Sequence, residues 1–161
     1  SLAMAREALE GETVIAYGDV VFKRYILHLL LSSEAPISIV VDCSRSFVAS
    51  RRSADRVRVS GPSARVYDES ENWLEAIAEA LPDHQTHGEW IGMLRVRGEG
   101  AELLLDALDT VLKRPDAGRL DMCSILSLLV EQDPRSVRVI YVEGGWIDIN
   151  SLADAARSGD V

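Results

Sequence analysis

The chain of 161 residues has little positive charge, few cysteines and no long apolar run. It carries 17 basic residues against 26 acidic ones, for a net charge of −9, and its lysines are Lys23 and Lys113. Proteins that bind nucleic acid need clustered Lys and Arg to neutralise phosphates, so this composition argues against a nucleic-acid partner. An anionic small molecule stays compatible, because a bound metal ion can supply positive charge locally.

The apolar segments are too short to cross a membrane. A spanning helix needs ~20 consecutive apolar residues, whereas the longest candidate, residues 25–31, is interrupted by His28. The cysteines, Cys43 and Cys123, do not form a disulfide framework and fit a reducing compartment. We therefore expect a cytoplasmic protein without a membrane span, folded as a single domain over residues 1–161.

Apolar patterning predicts an α/β domain whose sheet is mixed but mainly parallel and flanked by helices. Residues 13–17 form a continuous apolar run, typical of a strand covered on both faces, and residues 37–42 predict a second buried strand. Between them, residues 22–30 carry apolar side chains at helical spacing, which predicts a crossover and a parallel strand pair. The other predicted elements are a helix over 2–9, a β-hairpin over 57–67, a helix over 72–81, a strand over 89–96, helices over 98–113 and 121–130, strands over 137–142 and 146–149, and a last helix that starts with the capping-box spacing of Ser151 and Asp154.

Two acidic residues stand at the ends of predicted strands. Asp19 follows Tyr17 and Gly18 at the end of the first strand, and Asp148 lies between two isoleucines in the last strand. Ligands gather at the carboxyl ends of strands in α/β sheets, and a glycine lets a ligand approach the backbone closely. From the residues alone, Asp19 either contacts a ligand or caps a helix that begins near residue 21. Asp148 faces either solvent or a cleft.

Several segments resemble the sugar-nucleotidyltransferase-like family. Residues 1–22, with the Tyr-Gly-Asp sequence that ends at Asp19, are similar to the central segment of those domains. Residues 88–93 resemble their Gly-Glu-Phe-Ile-Gly strand, and residues 121–149 resemble their carboxyl-terminal signature. The type fused to, or encoded beside, phosphoenolpyruvate mutase in phosphonate biosynthesis is the most similar. The resemblance covers most of the chain outside residues 47–83, and it implies a Rossmann-like, nucleotide-diphospho-sugar-transferase-like fold.

The resemblance also implies a chemistry. In such families the aspartates that match Asp19 and Asp148 together hold a divalent metal, which implies Mg²⁺ and a catalytic role for both. The implied reaction is nucleotidyl transfer: an oxygen of a phosphonate or a small phosphorylated alcohol attacks the α-phosphorus of a nucleoside triphosphate, with CTP favoured, and pyrophosphate leaves. The predicted substrate contacts are Tyr17, Gly18, Glu89 and Trp146.

One family feature is missing from this sequence. Family members begin with a Gly-rich, Arg-containing loop whose amides cradle the triphosphate, and this chain would be the part that follows it. We therefore expect catalysis only where an amino-terminal part is supplied, and we expect the strand over 13–17 to pair with such a segment or in a homodimer. Two alternatives stay open: a sugar-1-phosphate nucleotidyltransferase, and a catalytically incomplete domain that serves binding, regulation or assembly.

Overall fold

The computed structural model describes residues 6, 9, 11–44, 54–61, 72–116, 121–157 and 159. Its strands are β1 (Thr13–Ala16), β2 (Val20–Phe22), β3 (Ile37–Asp42), β4 (Arg56–Val59), β5 (Leu74–Ala78), β6 (Gly88–Val96), β7 (Arg138–Val142) and β8 (Trp146–Asp148). Its helices are α1 (Arg24–Ser32), α2 (Glu99–Leu112), α3 (Met122–Gln132) and α4 (Leu152–Arg157), with a short 3₁₀ turn at Asp83–Gln85. Among the described residues, no helix combines the length and apolarity that crossing a membrane requires.

A mixed six-stranded sheet lies at the centre of the molecule. Its order is β5–β4–β6–β3–β7, and β1 also pairs with β6. On one face, α2 and α3 pack against the sheet through side chains such as Leu104 and Leu126. On the other face, α1 packs through Ile26 and Leu30. The predicted α/β class, a sheet flanked by helices, is therefore confirmed.

The strand directions differ from the mainly parallel prediction. In the described sheet, β3 and β7 are parallel, whereas β6 runs antiparallel to β1, β3 and β4. The predicted parallel pairing of the first two strands is wrong, because β6 lies between β1 and β3 and pairs with both. β6 is buried at every position. It follows β3, β4 and β5 in the sequence, so the pattern of adjacent segments does not show that β6 lies between β1 and β3.

The helix predicted over residues 72–81 is wrong, because this segment contains β5. Leu74 and Ile77 are both buried, and their spacing of three suggested a helix. The spacing arises from a bulge: Val59 of β4 faces Leu74 while Arg58 faces Ala76, so β5 carries one extra residue. Such a bulge lets residues three apart reach the same face of a strand.

Other predicted ends shift or fall outside the description. The helix predicted from residue 22 begins at Arg24, since residues 20–22 form β2, which pairs with β8. The second arm of the hairpin over 57–67 and most of the helix over 2–9 lie outside the described residues. The last helix begins as predicted, because the Asp154 amide donates to Ser151 Oγ at 3.2 Å.

A buried arginine fastens the sheet to the end of α1. Arg95 of β6 is 2% exposed. Its guanidinium donates to the Ser33 carbonyl beyond α1 and to the Leu30 carbonyl at 3.5 Å. It also forms an ion pair with Glu12 at 2.8 Å, next to β1. These bonds satisfy carbonyls that a helix end leaves without partners, and they fix β1, β6 and α1 around the site described next.

Candidate active site

The candidate site lies where two strands leave the same edge of β6. β1 pairs with the carboxyl-terminal half of β6, and β4 pairs with its first two residues. At one side of the gap between them, Tyr17 N donates to Gly92 O at 3.1 Å. At the other side, Trp90 N donates to Asp55 O at 2.9 Å. The residue after β1 and the residue before β4 therefore face one cleft, of about 230 Å³.

Gly92 shapes the floor of this cleft. Its φ of +77° belongs to a region that L side chains rarely adopt, and a Cβ there would lie 2.5 Å from Tyr17 Cδ2. The missing side chain lets the Tyr17 ring lie over the strand, edge-on to Trp90, with ring centroids 5.3 Å apart and planes at 61°. This geometry is typical of a favourable aromatic pair. The cleft floor thus depends on a glycine in the middle of a buried strand.

The two predicted metal carboxylates come together on a separate two-stranded ribbon, formed by β2 and β8. Val20 pairs with Asp148 across this ribbon, and Ile149 N donates to Asp19 O at 2.8 Å. Asp19 and Asp148 therefore stand at the same end of the ribbon, and both line the cleft. Asn150 Nδ2 donates to Asp148 Oδ2 at 2.6 Å, which orients that carboxylate.

The positions of Asp19 and Asp148 also bear on the alternatives that the sequence left open for each residue. The amino-terminal cap position of α1 is Lys23, so Asp19 is not the cap of that helix. Asp148 is only partly exposed and lines the cleft. Of the predicted substrate contacts, Tyr17, Glu89 and Trp146 line the cleft as well. Gly18 is in the turn between β1 and β2 and is not among the lining residues, and a Cβ there would meet nothing within 4 Å.

The cleft is strongly acidic. Its carboxylates are Asp19, Asp55, Glu79, Glu89 and Asp148. Within the described part of the chain, no lysine or arginine is among the lining residues. Arg56, which sits next to Asp55, turns away and bonds the Leu81 carbonyl at 3.1 Å and the Asp83 carboxylate. Such a cleft concentrates cations.

Asp55 and Glu79 were not predicted from the sequence as cleft residues. Both lie in residues 47–83, where the family resemblance fails, and neither ends a predicted buried strand. They reach the cleft through long-range pairing, since Asp55 precedes β4 and Glu79 follows β5, which pairs with β4. Predicting that Asp55 lies in the cleft would have required knowing that β4 pairs with β6.

Burial sets the protonation behaviour around the cleft. Partial burial raises the pKa of Asp55 above 3.8; a hydrogen bond from the Cys123 thiol opposes the shift, and the charges of Asp121 and Glu79 add to it. Burial also raises the pKa of Tyr17 well above 10, with nearby negative charges contributing, so its hydroxyl stays protonated at neutral pH. Burial likewise raises the pKa of Cys123 far above 9, which keeps the thiol neutral. The Cys123 thiol therefore donates to Asp55, and the Tyr17 hydroxyl keeps its proton.

The donor set fits a magnesium ion. The described residues contain no cluster of three or more His, Cys, Asp or Glu side chains arranged to hold a metal. Asp19 and Asp148, which both line the cleft, would supply two carboxylates to a bound ion. Mg²⁺ is typically held in this way, by one or two carboxylates together with waters and phosphate oxygens. Zinc, in contrast, favours a closed set of nitrogen and sulfur ligands.

No family model matches the sequence, and no curated protein matches it. Solved structures match over nearly the whole chain. A UTP-bound UGPase from Acinetobacter baumannii superposes with a TM-score of 0.69 at 15% identity, over 98% of this chain and 53% of its own. An inositol-1-phosphate CTP transferase from T. maritima gives 0.67 at 18% identity, over 95% of this chain and 55% of its own.

A Bacillus anthracis protein assigned as a glucose-1-phosphate thymidylyltransferase gives a TM-score of 0.63 at 12% identity, over 99% of this chain and 58% of its own. This chain thus spans little more than half the length of the solved structures it matches. At such low identity the likeness establishes the fold. The chain therefore has a fold similar to part of these solved nucleotidyltransferase structures.

Proposed function

We propose that this chain forms the metal-binding part of a nucleotidyltransferase. The reaction joins a nucleoside monophosphate, cytidylyl in the favoured case, to a phosphonate or small phosphorylated alcohol and releases pyrophosphate. The observation that carries this proposal is the β2–β8 ribbon, which brings Asp19 and Asp148 to one end, where both line the cleft. A nucleotidyltransferase fold around that pair supports the reaction class, and the resemblance in the sequence supports the acceptor class.

The charge of the cleft supports a metal-dependent reaction. Five carboxylates would repel a triphosphate, since like charges a few ångströms apart oppose each other strongly in a partly buried site. Mg²⁺ held by Asp19 and Asp148 would neutralise phosphate charge and act as a Lewis acid on the reacting phosphate. The attacking oxygen of a phosphonate or phosphate is already an anion near neutral pH, so the cleft needs no strong side-chain base.

The protein's own residues orient and enclose the reactants in this proposal. Asp19 and Asp148 fix where the phosphates lie, through the ribbon that holds both. Tyr17 stays protonated and can donate a hydrogen bond to an anionic oxygen. Trp146 and the Tyr17–Trp90 pair give the cleft apolar walls, and water-poor walls strengthen electrostatic interactions inside. Alignment and charge neutralisation are the main sources of rate in such reactions.

No Gly-rich, Arg-containing loop of the kind that cradles a triphosphate occurs in this sequence. We propose that an amino-terminal segment supplies that loop at the cleft and pairs along the β1 edge; in a homodimer, a second copy would complete the sheet at β1 but would not supply the loop. The solved structures of this fold have nearly as much chain again beyond the part that superposes, which supports such an addition.

Pyrophosphate release tests the proposal. The complete gene product, with any residues encoded before Ser1, is incubated with CTP and 2-aminoethylphosphonate or phosphocholine, with and without Mg²⁺, and parallel arms use UTP with glucose 1-phosphate and CTP with inositol 1-phosphate. Asp19→Asn and Asp148→Asn are compared with Asp106→Asn, the same chemical change at an exposed position of α2. We expect Mg²⁺-dependent release that falls by about 100-fold or more in the two cleft variants, as for loss of a major electrostatic contact, and stays unchanged in the control. Equal rates for wild type and Asp19→Asn would remove Asp19 from the mechanism.

A second candidate is a catalytically incomplete domain that binds a metal or nucleotide in a regulatory or assembly role. The absence of a basic side chain among the described cleft-lining residues favours it, because sites for triphosphates usually include one. The same experiment separates the two. Metal binding that needs Asp19 and Asp148, together with no pyrophosphate release from any pair of substrates, supports the second candidate.

A further inference from the structure

Asp42 is a buried carboxylate outside the cleft, and its bonds converge on the strand that carries Asp148. It ends β3 and is 6% exposed. Its Oδ1 accepts from Ser44 N at 2.8 Å and from Gly144 N at 3.2 Å. Its Oδ2 accepts from Trp146 Nε1 at 2.7 Å. One carboxylate thus binds the turn before β8 through a backbone amide and the first residue of β8 through its side chain.

The β2–β8 ribbon needs such an anchor, because it is not part of the central sheet. The turn before β8 has two further bonds, from Tyr25 Oη to Gly144 O at 3.0 Å and from Lys23 N to Gly145 O at 2.8 Å. Both of these come from α1 and the residue before it. The side-chain bonds of Asp42 join the turn and β8 to β3, a fully buried strand of the sheet.

Strand pairing shows how Asp42 is related to the cleft. Asp42 pairs across the sheet with Glu89, which lines the cleft, and Asp148 follows Trp146 by two residues. Successive side chains in a strand alternate, so residues two apart share a face. Trp146 and Asp148 therefore face the same side of the ribbon, and both line the cleft. Fixing the Trp146 indole fixes the direction in which the Asp148 carboxylate faces.

We propose that Asp42 is a positioning residue, which holds β8 against the central sheet so that Asp148 stays in the cleft at the same end of the ribbon as Asp19. This inference rests on the proposed metal role of Asp19 and Asp148, and it adds a buried residue that never touches the metal or the substrate. Groups that orient metal ligands from behind typically change metal affinity by about 10- to 100-fold when they are lost.

Asp42→Asn is the direct test. Asparagine has one acceptor oxygen and one NH₂ group, so it must present donors either to Trp146 Nε1 or to the two amides. Each orientation loses at least one of the three bonds, while size and shape stay the same. Trp146→Phe is the second variant, because it removes the indole donor and keeps an aromatic ring, although the ring is smaller. Ile39→Val, a mild change at a fully buried position of the same strand, controls for general loss of stability.

Two measurements on the full chain decide the matter. In hydrogen exchange, we expect the amides of residues 144–149 to exchange about tenfold faster or more in Asp42→Asn, with a smaller effect in Trp146→Phe and none in Ile39→Val. The β3–β7 ladder should keep its protection in all three variants. In Mn²⁺ titrations, we expect affinity to fall by about 10- to 100-fold in Asp42→Asn and to be unchanged in Ile39→Val.

The outcomes separate this inference from the proposed function. Unchanged exchange over residues 144–149 in Asp42→Asn overturns the inference, whatever the metal data show. Faster exchange with unchanged Mn²⁺ affinity also overturns it, provided that Asp19→Asn abolishes Mn²⁺ binding. If Asp19→Asn binds Mn²⁺ like wild type, the proposed function fails, and the role of Asp42 in fixing β8 is judged by the exchange data alone.

Discussion

Gly92→Ala should destabilise the protein by distorting the floor of the cleft. A φ of +77° costs a residue with a Cβ about 1–2 kcal/mol. The new Cβ would also lie 2.5 Å from Tyr17 Cδ2 and 3.0 Å from Tyr17 Cγ, so the ring must move. Losing the edge-on contact between Tyr17 and Trp90 removes about 0.5–1.5 kcal/mol more. The expected total is about 1.5–3.5 kcal/mol.

Gly11→Ala is a matched control for the backbone cost. Gly11 has nearly the same φ, +74°, but a Cβ there would meet nothing within 4 Å. We expect it to lose only the conformational part, about 1–2 kcal/mol. Urea unfolding followed by tryptophan fluorescence measures both free energies of unfolding. If Gly92→Ala loses no more stability than Gly11→Ala, the packing of Tyr17 over Gly92 does not form the cleft floor as described.

Two further predictions concern charges around the site. Asp55→Asn should be more stable than wild type at pH 7. Because the pKa of Asp55 in the folded state is raised above 3.8, its ionised form opposes folding. This loss of stability appears as the pH rises from 3.8 through the folded-state pKa. The advantage should shrink in thermal melts as the pH falls towards 3.8, and an advantage that is the same at every pH would contradict the argument. Arg95→Met should lose about 2–3 kcal/mol in urea unfolding, since the carbonyls at the end of α1 lose their buried donor while the half-exposed Glu12 stays hydrated; a loss under about 0.5 kcal/mol would show that this anchor is not needed.

The sequence predicted those elements that local pattern determines. Residues 13–17 and 89–96 were predicted as strands because their apolar runs are bounded by turn residues. The start of α3 was predicted because Asp121 can cap a helix, and its carboxylate does accept from Ser124 N at 3.0 Å. These signals depend on side chains a few residues apart, so they need no knowledge of the tertiary structure.

Long-range pairing could not be predicted in the same way. The helix predicted over 72–81 is a strand because β4 pairs with it and a bulge shifts its register. Asp55 was not predicted because its position in the cleft depends on the pairing of β4 with β6. In both cases the deciding neighbours are distant in sequence, and their contribution outweighs local propensity.

The candidate site was predictable in part, and for a different reason. Asp19 and Asp148 are about 130 residues apart in sequence, and spacing alone gave no reason to place them together. The family resemblance supplied that step, and the β2–β8 ribbon gives it a physical basis. The bonds of Asp42 to Gly144 and Trp146 had no sequence signal, because an aspartate at the end of a buried strand has many possible partners.

The most direct test of the central claim is an Mn²⁺ titration of the ¹⁵N-labelled chain followed by amide NMR, since a paramagnetic ion broadens the signals of nearby residues. If Asp19 and Asp148 hold the metal together, broadening will begin at residues 17–22 and 146–150 and will disappear in both Asp19→Asn and Asp148→Asn, while Asp106→Asn behaves like wild type. Broadening that begins elsewhere, or that survives either cleft substitution at wild-type Mn²⁺ concentrations, would contradict the claim that this pair is the metal site.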